Sequence, residues 1–311
     1  MYSLKHWQKN GISEYIYTLI NEPQVRPDSN IIISKCDAEY FLQNSKPSLD
    51  ELSAKYYEIA PTSSEYTAYT ENVKILDFFS KIDDTFCQPY AILGAVNSSK
   101  GETNLSTSPS SSSSSAVEKD DSYLAGETPI GNDTNIENVG LAIFYKDTLM
   151  GDLNGIETVC HAIISNNLET CIITIPNPYE SDSNIDLFVK FKKKTRRTVS
   201  IVNNTPYIEC NVKLNSRIMS MTGNSNYLDK TTMAQIEDYA NSYIKYQLEN
   251  YLYKTSKDFN CDIDNFGKNV VKNFKTMDEW KDFNWLDNYK NAFFKVNVDS
   301  GIKSGYLVLK I

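Results

Sequence analysis

The sequence predicts an α+β protein in which β-sheets flanked by helices form at least two domains. Stretches with apolar residues at helical spacing are interspersed with short β-branched or alternating runs along the 311 residues. A Ser-rich stretch interrupts this pattern. One long helical segment precedes the final strands, so we predict a C-terminal domain with an antiparallel sheet and one long helix.

The predicted domains are a partial α/β domain over residues 1–97, a Ser-rich flexible linker or loop over 98–138, and a C-terminal α+β domain over 139–311. The linker is almost without aliphatic residues, so it cannot bury enough apolar surface to offset the entropy lost on ordering. Its composition therefore marks a break between two ordered regions.

In the first region, helical spacing from Ile12 to Ile20 predicts a helix that Pro23 ends. Asp37 is placed to cap a second helix. Two strands and two further amphipathic helices are predicted in the order "NIIISK", "SLDELSAKYYEIA", "TENVKILDFFSKID" and "YAILGAV", of which the first and last are the strands.

The third region opens with "GLAIFYKDTLMGDLNGIET", which predicts strand, turn, strand and the start of a helix. The spacing of Gly140, Gly151 and Gly155 matches no phosphate-binding loop, so we expect turn glycines. "NIDLFVKFKKKTRRTVSIVNN" predicts a hairpin with a charged tip, whose arms place Leu187 to Phe191 opposite Val199 to Val202. The strict alternation of "YIECNVKL" predicts a half-buried strand.

The last region predicts a long helix from "YLDKTTMAQIEDYANSYIKYQLENYLYKT", which Asp229 would cap. Two terminal strands, "AFFKVNVDS" and "GYLVLKI", are predicted to join through Gly301. Trp280 and Trp285, with Phe283 between them, are most simply anchors of the core or of a domain interface.

Composition excludes several classes of function. The chain has 31 Lys+Arg against 40 Asp+Glu, a net charge of −9, which argues against nucleic acid as a partner. No apolar run reaches the ~18–20 residues of a membrane span, and no signal peptide opens the chain, so we expect the chain as given to be soluble. The six cysteines form no CxxC pair. We expect buried thiols, with a disulfide as the alternative.

The candidate reactive groups each favour a structural interpretation. Cys160 and His161 are adjacent on a helix and point about 100° apart, so they cannot act as nucleophile and base. We expect His161 to be a partly exposed helix residue. "DFNCDIDNFG" departs from a calcium loop at Ile263 and Asn269, which favours a turn with Asx capping. We therefore assign no catalytic residue, no metal ligand and no cofactor.

The basic run in the predicted hairpin has two interpretations. It can face an anionic lipid surface or an acidic partner, or it can be a solvated hairpin end whose charges discourage edge pairing. The candidate partner- or membrane-facing residues are Lys192, Lys193, Lys194, Arg196 and Arg197.

Four segments together resemble the Ger(x)C family, the C subunits of spore nutrient germinant receptors. "GLAIFYKDTLMGDLNGIET" resembles a G-x-A-x-F-x-x-D-x-x-x-G-x-L-x-x-x-E-T segment of that family, and the region around Arg26 is similar to its helix–Arg–strand–helix stretch. "AQIEDYANSYIKYQLENYLYKTSKDFNCDIDNFG" resembles its long helix with an Asp-x-Phe-Gly-like turn. The stretch from Trp280 to the end resembles its closing Trp region and strands.

The resemblance implies a non-enzymatic lipoprotein at the outer face of the spore inner membrane, working beside A- and B-type integral membrane subunits. The family's lipobox and first domain portion are missing from the chain as given, so residues 1–97 are expected to be a partial N-terminal or middle domain. Two alternatives stay open. They are an extracytoplasmic hydrolase with paired carboxylates, and a stand-alone small-ligand-binding protein.

Overall fold

The computed structural model describes residues 11–44, 62, 64–97, 122–128, 135–180, 183–221 and 230–303. Four predictions lie outside these ranges: the helix in "SLDELSAKYYEIA", most of the Ser-rich stretch, the cap at Asp229 and the strand in "GYLVLKI". Within the described ranges, helices flank two four-stranded mixed sheets, which confirms the α+β class.

The first sheet has the strand order β1-β2-β3-β4. Its strands are β1 (Ile32–Ser34), β2 (Tyr90–Val96), β3 (Ile136–Tyr145) and β4 (Thr148–Leu153), and only the β1–β2 pair is parallel. The helices before β3 are α1 (Ser13–Asn21), α2 (Ala38–Asn44), α3 (Ser64–Thr67) and α4 (Ile75–Ile82). As predicted, the Asp37 carboxylate accepts the backbone N–H of Glu39 at the start of α2.

This sheet takes two strands from each side of the Ser-rich stretch. Ala91 in β2 lies opposite Ala142 in β3, and both are fully buried. The predicted boundary between residues 138 and 139 therefore falls inside β3. Composition marks the break in the chain but carries no signal for strand pairing across it, and the division into domains stays a prediction.

The second sheet has the order β5-β6-β7-β8. Its strands are β5 (Cys171–Pro176), β6 (Asn184–Val202), β7 (Thr205–Met221) and β8 (Phe293–Lys303). The first two pairs are antiparallel as predicted, but β8 runs parallel to β7. The physical reason is the long connection through α6 (Lys230–Tyr253), because a parallel neighbour requires a crossover.

Two predicted turns of this sheet are wrong. The β6–β7 hairpin turns at Asn203 and Asn204, with φ angles of 49° and 64°, and the basic run lies in the middle of β6. Asn tolerates this left-handed conformation, so the Asn-Asn pair forms the tight turn. β8 also continues through Gly301, which pairs with Asn215, instead of turning there.

Helix α5 (Gly155–Ser165) packs against α6 and against strands of both sheets. It is buried on almost every side, as expected for a helix that is apolar around its circumference. The chain after α6 continues as a π-helical turn and three short helices, α7 (Phe266–Val270), α8 (Met277–Phe283) and α9 (Trp285–Asn288).

The six cysteines all lie in the described ranges as free thiols, and five of them are buried. The interpretation as small buried side chains is therefore confirmed for these five, Cys36 is half-buried, and the disulfide alternative is wrong. Among the described helices, none combines the length and apolarity needed to cross a bilayer.

Candidate functional site

His161 lies at the centre of a buried cluster of polar side chains. Its exposed fraction is 0%, so the prediction of a partly exposed residue is wrong, because α5 is enclosed by α6 and both sheets. Nδ1 lies 2.9 Å from Oδ1 of Asp264 and 3.0 Å from the hydroxyl of Tyr251. On the other side of the ring, Nε2 lies 3.1 Å from Oε2 of Glu71.

Further contacts hold the two carboxylates in place. The Tyr251 hydroxyl donates to Oδ2 of Asp264 at 2.8 Å. The Asn167 amide donates to Glu71. The ring of Tyr90 meets the imidazole edge-on, with centroids 4.8 Å apart. Each charged group in the cluster thus has a polar partner, as burial of charge requires.

The charges around His161 decide its protonation. Burial alone would lower the pKa of His161, but the Glu71 carboxylate and the hydrogen bond to Asp264 raise it to about 9. Burial likewise disfavours the charged form of Glu71, but the attraction between its carboxylate and the nearby His161 outweighs the effect of burial. The pKa of Glu71 is therefore lowered. At neutral pH the ring is an imidazolium that binds two carboxylates and has no free lone pair for a general base.

Cys160 takes no part in this cluster. Burial raises the pKa of the Cys160 thiol well above its usual value, which keeps the sulfur protonated and unreactive. The expectation that Cys160 and His161 do not form a nucleophile–base pair agrees with this environment. The sequence did not point to Glu71 or Asp264, because they are distant along the chain and no spacing rule links them to His161.

The turn after α6 is built around another buried carboxylate, that of Asp262. Oδ2 accepts the N–H of Gly267 at 2.8 Å and the indole N–H of Trp285 at 2.9 Å. Oδ1 accepts the N–H of Phe266 at the start of α7. Burial raises the pKa of Asp262 to about 7. The predicted capping turn is confirmed, and within the described ranges no cluster of His, Cys, Asp or Glu is arranged to hold a metal ion.

The two tryptophans of the closing region are core anchors, as predicted. Trp280 and Trp285 are almost fully buried and stack with their ring centroids 6.2 Å apart. The indole N–H of Trp280 donates to the Thr85 hydroxyl at 3.1 Å, which joins this region to the chain just before β2.

The segment from residue 140 to 158 is scaffold. Asn154 and Glu157 form a reciprocal capping box at the start of α5. The same Glu157 carboxylate binds Nζ of Lys254, the residue that directly follows α6, at 2.7 and 2.9 Å. The segment therefore fixes the start of α5 and ties it to the long helix.

Gly140 and Gly151 do not lie at turns, contrary to the prediction, and Gly155 is the first residue of α5. Gly140 and Gly151 lie inside β3 and β4, and the turn between these strands is at Lys146 and Asp147. Gly140 has a φ of +92°, and a Cβ there would lie 2.1 Å from the Leu153 carbonyl oxygen. A Cβ on Gly151 would lie 2.6 Å from the Phe259 ring, so close packing explains both glycines.

Four of the five basic candidates are exposed on β6: Lys192, Lys193, Lys194 and Arg196. Arg197 points the other way. Its guanidinium donates to the Asp264 carbonyl and lies 5.8 Å from the centroid of the Phe266 ring. Arg197 therefore supports the buried cluster and does not belong to the exposed basic group.

Comparison with models of known protein families shows which family this chain resembles. Residues 139–305 match the family model described as "Spore germination B3/ GerAC like, C-terminal", and residues 6–94 match "Spore germination protein N-terminal domain". The chain belongs to the GerAC-like family of spore germination proteins. This confirms the resemblance to Ger(x)C proteins and indicates a role in spore germination.

A solved structure supports the fold of this GerAC-like chain. The crystal structure of the GerBC protein is similar with a TM-score of 0.62 and 12% sequence identity, covering 97% of this chain and 77% of that chain. At such low identity the likeness shows the fold alone. No curated protein matches the chain.

The His161 cluster joins the two family segments. Glu71 and Tyr90 come from the segment that matches the N-terminal model, while His161, Tyr251 and Asp264 come from the GerAC-like segment. This buried polar cluster thus links these two segments of the chain.

Proposed function

We propose that the chain is a non-enzymatic accessory subunit of a spore nutrient germinant receptor, acting through protein contacts at the outer face of the spore inner membrane. The observation that carries this proposal is the burial of the His161 cluster. Its ionisable side chains converge as in a reactive site, but they contact one another, and His161, Tyr251 and Asp264 are almost fully buried. The surface, and not this cluster, is therefore the part available to other molecules.

In this proposal the partners are the A- and B-type integral membrane subunits. The full-length protein would be held at the membrane by a lipid anchor, and nucleic acid would not be a partner because the chain carries a net charge of −9. Family membership supports a function in germination, and the exposed basic residues of β6 offer a contact surface.

Co-purification tests the proposal. The full-length protein carrying an affinity tag is expressed in spores together with both membrane subunits, solubilised in mild detergent and captured. We expect both subunits to be retained, and a tagged, unrelated spore lipoprotein serves as control. Capture of the tagged protein without either subunit would contradict the proposal, and so would substrate turnover that is lost on changing one acidic side chain.

Small-ligand binding is the second candidate, supported by a surface groove of about 300 Å³. The groove is lined in part by Asp83, Tyr145, Lys281 and Asp287, beside the two tryptophans. Calorimetry with amino acids and sugars tests this role. The hydrolase alternative has less support, because Asp262, whose pKa is raised to about 7, is fully buried and saturated with hydrogen-bond donors.

A further inference from the structure

One face of the second sheet is open to solvent. In β7 and β8 the inward side chains are buried, and α6 packs against β8. On the edge of β8, the α6 residues Asn241 and Glu237 accept the backbone N–H groups of Ser300 and Ile302. The outward side chains of the same strands lie on the opposite face and are exposed or half-buried.

The centre of this open face is strongly basic. We call this group the basic face, and it consists of Lys190, Lys192, Lys193 and Arg196 of β6 with Lys213 of β7. Lys193 lies directly opposite Lys213 in the strand register. Like charges in such a cross-strand pair are destabilising, so the arrangement does not serve the fold.

The neighbouring acids do not neutralise this group. Among the described residues, the ion pair that reaches the basic face joins Lys192 to Asp299 at 3.8 Å, with both side chains about half exposed. A pair of this kind contributes little in water. Five cations are thus concentrated on one face of a chain whose net charge is −9, which favours an anionic partner there.

An exposed aromatic pair extends the same face. Tyr207 and Phe293 lie opposite each other on β7 and β8, are 43% and 54% exposed, and stack with their centroids 5.3 Å apart. Val202, half exposed, stands beside the turn at the same end of the sheet. Exposed aromatic and aliphatic side chains next to lysines and arginines are typical of surfaces that lie at a lipid–water interface.

We propose that this face docks on an anionic lipid surface. The basic face would lie at the level of the lipid phosphates, and Tyr207 with Phe293 would enter the interfacial layer. The inference deepens the proposed function and rests on it for the presence of a membrane. The charges are spread along two extended strands, so they match an extended anionic surface better than a single phosphate or carboxylate.

Vesicle binding tests the inference. The purified chain is sedimented with vesicles of phosphatidylcholine alone, and with vesicles of phosphatidylcholine and phosphatidylglycerol in equal parts. We expect binding to the second type only, weakened by added salt. Lys193→Glu combined with Arg196→Glu should lower the binding constant by about tenfold or more. Phe293→Ser should lower it too, while leaving its salt dependence unchanged.

A matched control separates the effect of charges on the basic face from the effect of the overall charge of the chain. Lys272→Glu with Lys275→Glu makes the same change of charge at two exposed lysines outside the sheet, and should leave binding nearly unaltered. Thermal unfolding of each variant shows that it is folded, and all the substituted positions are exposed. Equal loss of binding in both double variants would overturn the inference.

Two competitors separate the lipid from other anions. Inorganic phosphate that displaces the chain from vesicles would show a discrete anion site, and polyglutamate that binds more tightly than the vesicles would show a surface for acidic proteins. Either result overturns the lipid inference. A chain that ignores anionic vesicles but retains both membrane subunits contradicts only this inference. A chain that binds vesicles but never retains the subunits contradicts only the proposed function.

Discussion

At the level of single residues, His161 shows how a buried charge is stabilised. Removing an ion from water costs several kcal/mol unless opposite charge and hydrogen bonds replace the solvent. Glu71 and Asp264 supply both, one on each side of the ring. Glu71 lies in the loop before α4, His161 in α5 and Asp264 in the turn after α6. The buried charges are therefore stabilised only when these three distant parts of the chain are in place.

Replacing the imidazolium tests this account. His161→Gln removes the charge and leaves Glu71 and Asp264 buried without their counter-ion, so we expect a loss of about 3–5 kcal/mol in the free energy of unfolding. Urea denaturation measures it. Glu71→Gln is made in the wild-type protein and in His161→Gln. The double-mutant cycle should give a coupling free energy of at least about 1 kcal/mol between the two side chains. Strictly additive losses would show that the two side chains do not interact.

The cluster also predicts how stability changes with pH. The pKa of His161 is raised in the folded state from 6.5 to about 9, so its contribution is complete below pH 6.5 and is lost as the pH rises through about 9. Linkage makes this contribution about 3 kcal/mol. The pKa of Asp262 is also raised, to about 7, so its contribution to stability is lost as the pH rises through about 7. This second loss is nearly complete below pH 9.

The comparison of pH profiles isolates the histidine. Wild type should lose stability between pH 7 and 9 in denaturant titrations. His161→Gln should lose less over the same range, where the raised pKa values of the buried thiols of Cys87, Cys160, Cys210 and Cys261 still lower stability toward pH 9. Parallel profiles for the two proteins would mean that His161 does not titrate with folding.

The residue scale also shows the limit of prediction from the sequence. The helical angle between Cys160 and His161 can be predicted from the sequence, because that angle is set by local geometry. The burial of His161 and its partners Glu71 and Asp264 depends on packing between distant segments. Neither the composition nor the spacing of the sequence contains that information.

At the level of elements, β3, β4 and α5 form a rigid unit whose glycines allow close packing. At Gly140 the backbone has a φ of +92°, and a Cβ would collide with the Leu153 carbonyl. Gly140→Ala should therefore lower the free energy of unfolding by about 2–4 kcal/mol. Gly301→Ala is the matched control, since no atom lies within 4 Å of its Cβ position, and its effect should stay within about 0.5 kcal/mol. Thermal or urea unfolding compares the two, and equal effects would refute the steric explanation.

The link between α5 and α6 is a second element-scale feature. Lys254 binds both oxygens of Glu157 in a partly buried site, so a Glu157→Gln, Lys254→Met cycle should show a coupling of about 1–2 kcal/mol. The control is the exposed Lys245–Glu249 pair on α6, 3.8 Å apart, for which about 0.3–0.5 kcal/mol is expected. Urea unfolding measures both cycles. Equal coupling in the two pairs would mean that the Glu157 link adds nothing beyond a surface ion pair.

Most elements follow from the sequence, because helical spacing and strand alternation are local. The β7 alternation from Ile208 to Leu214 is confirmed by burial of every second residue. The prediction for β6 is wrong in an informative way. The basic run predicts a hairpin tip, but the strand continues through two bulges to the Asn-Asn turn, with Phe191, Thr195 and Val199 facing inward. Charge alone is a weak turn signal, whereas residues that allow positive φ are a strong one.

At the level of the whole molecule, the first sheet and the His161 cluster bind the two family segments together. β2 lies between β1 and β3, so the sheet is continuous across the Ser-rich stretch. The α+β class is accessible from local patterns. The pairing of β2 with β3 is not, because it joins residues separated by a stretch with no structural signal of its own.

This continuity predicts that the C-terminal region does not fold alone. A fragment of residues 139–311 lacks β1 and β2, which exposes the edge and the apolar surface of β3, and lacks Glu71 beside His161. We expect it to unfold without a cooperative transition and to bind the dye ANS, as partly packed states do. Adding a fragment of residues 1–98 should restore a cooperative transition, because strand pairing and the ion pair can form again between the pieces. A fragment that unfolds cooperatively at the midpoint of the full chain would show instead that the C-terminal region is an independent domain and that the shared sheet contributes nothing to its stability.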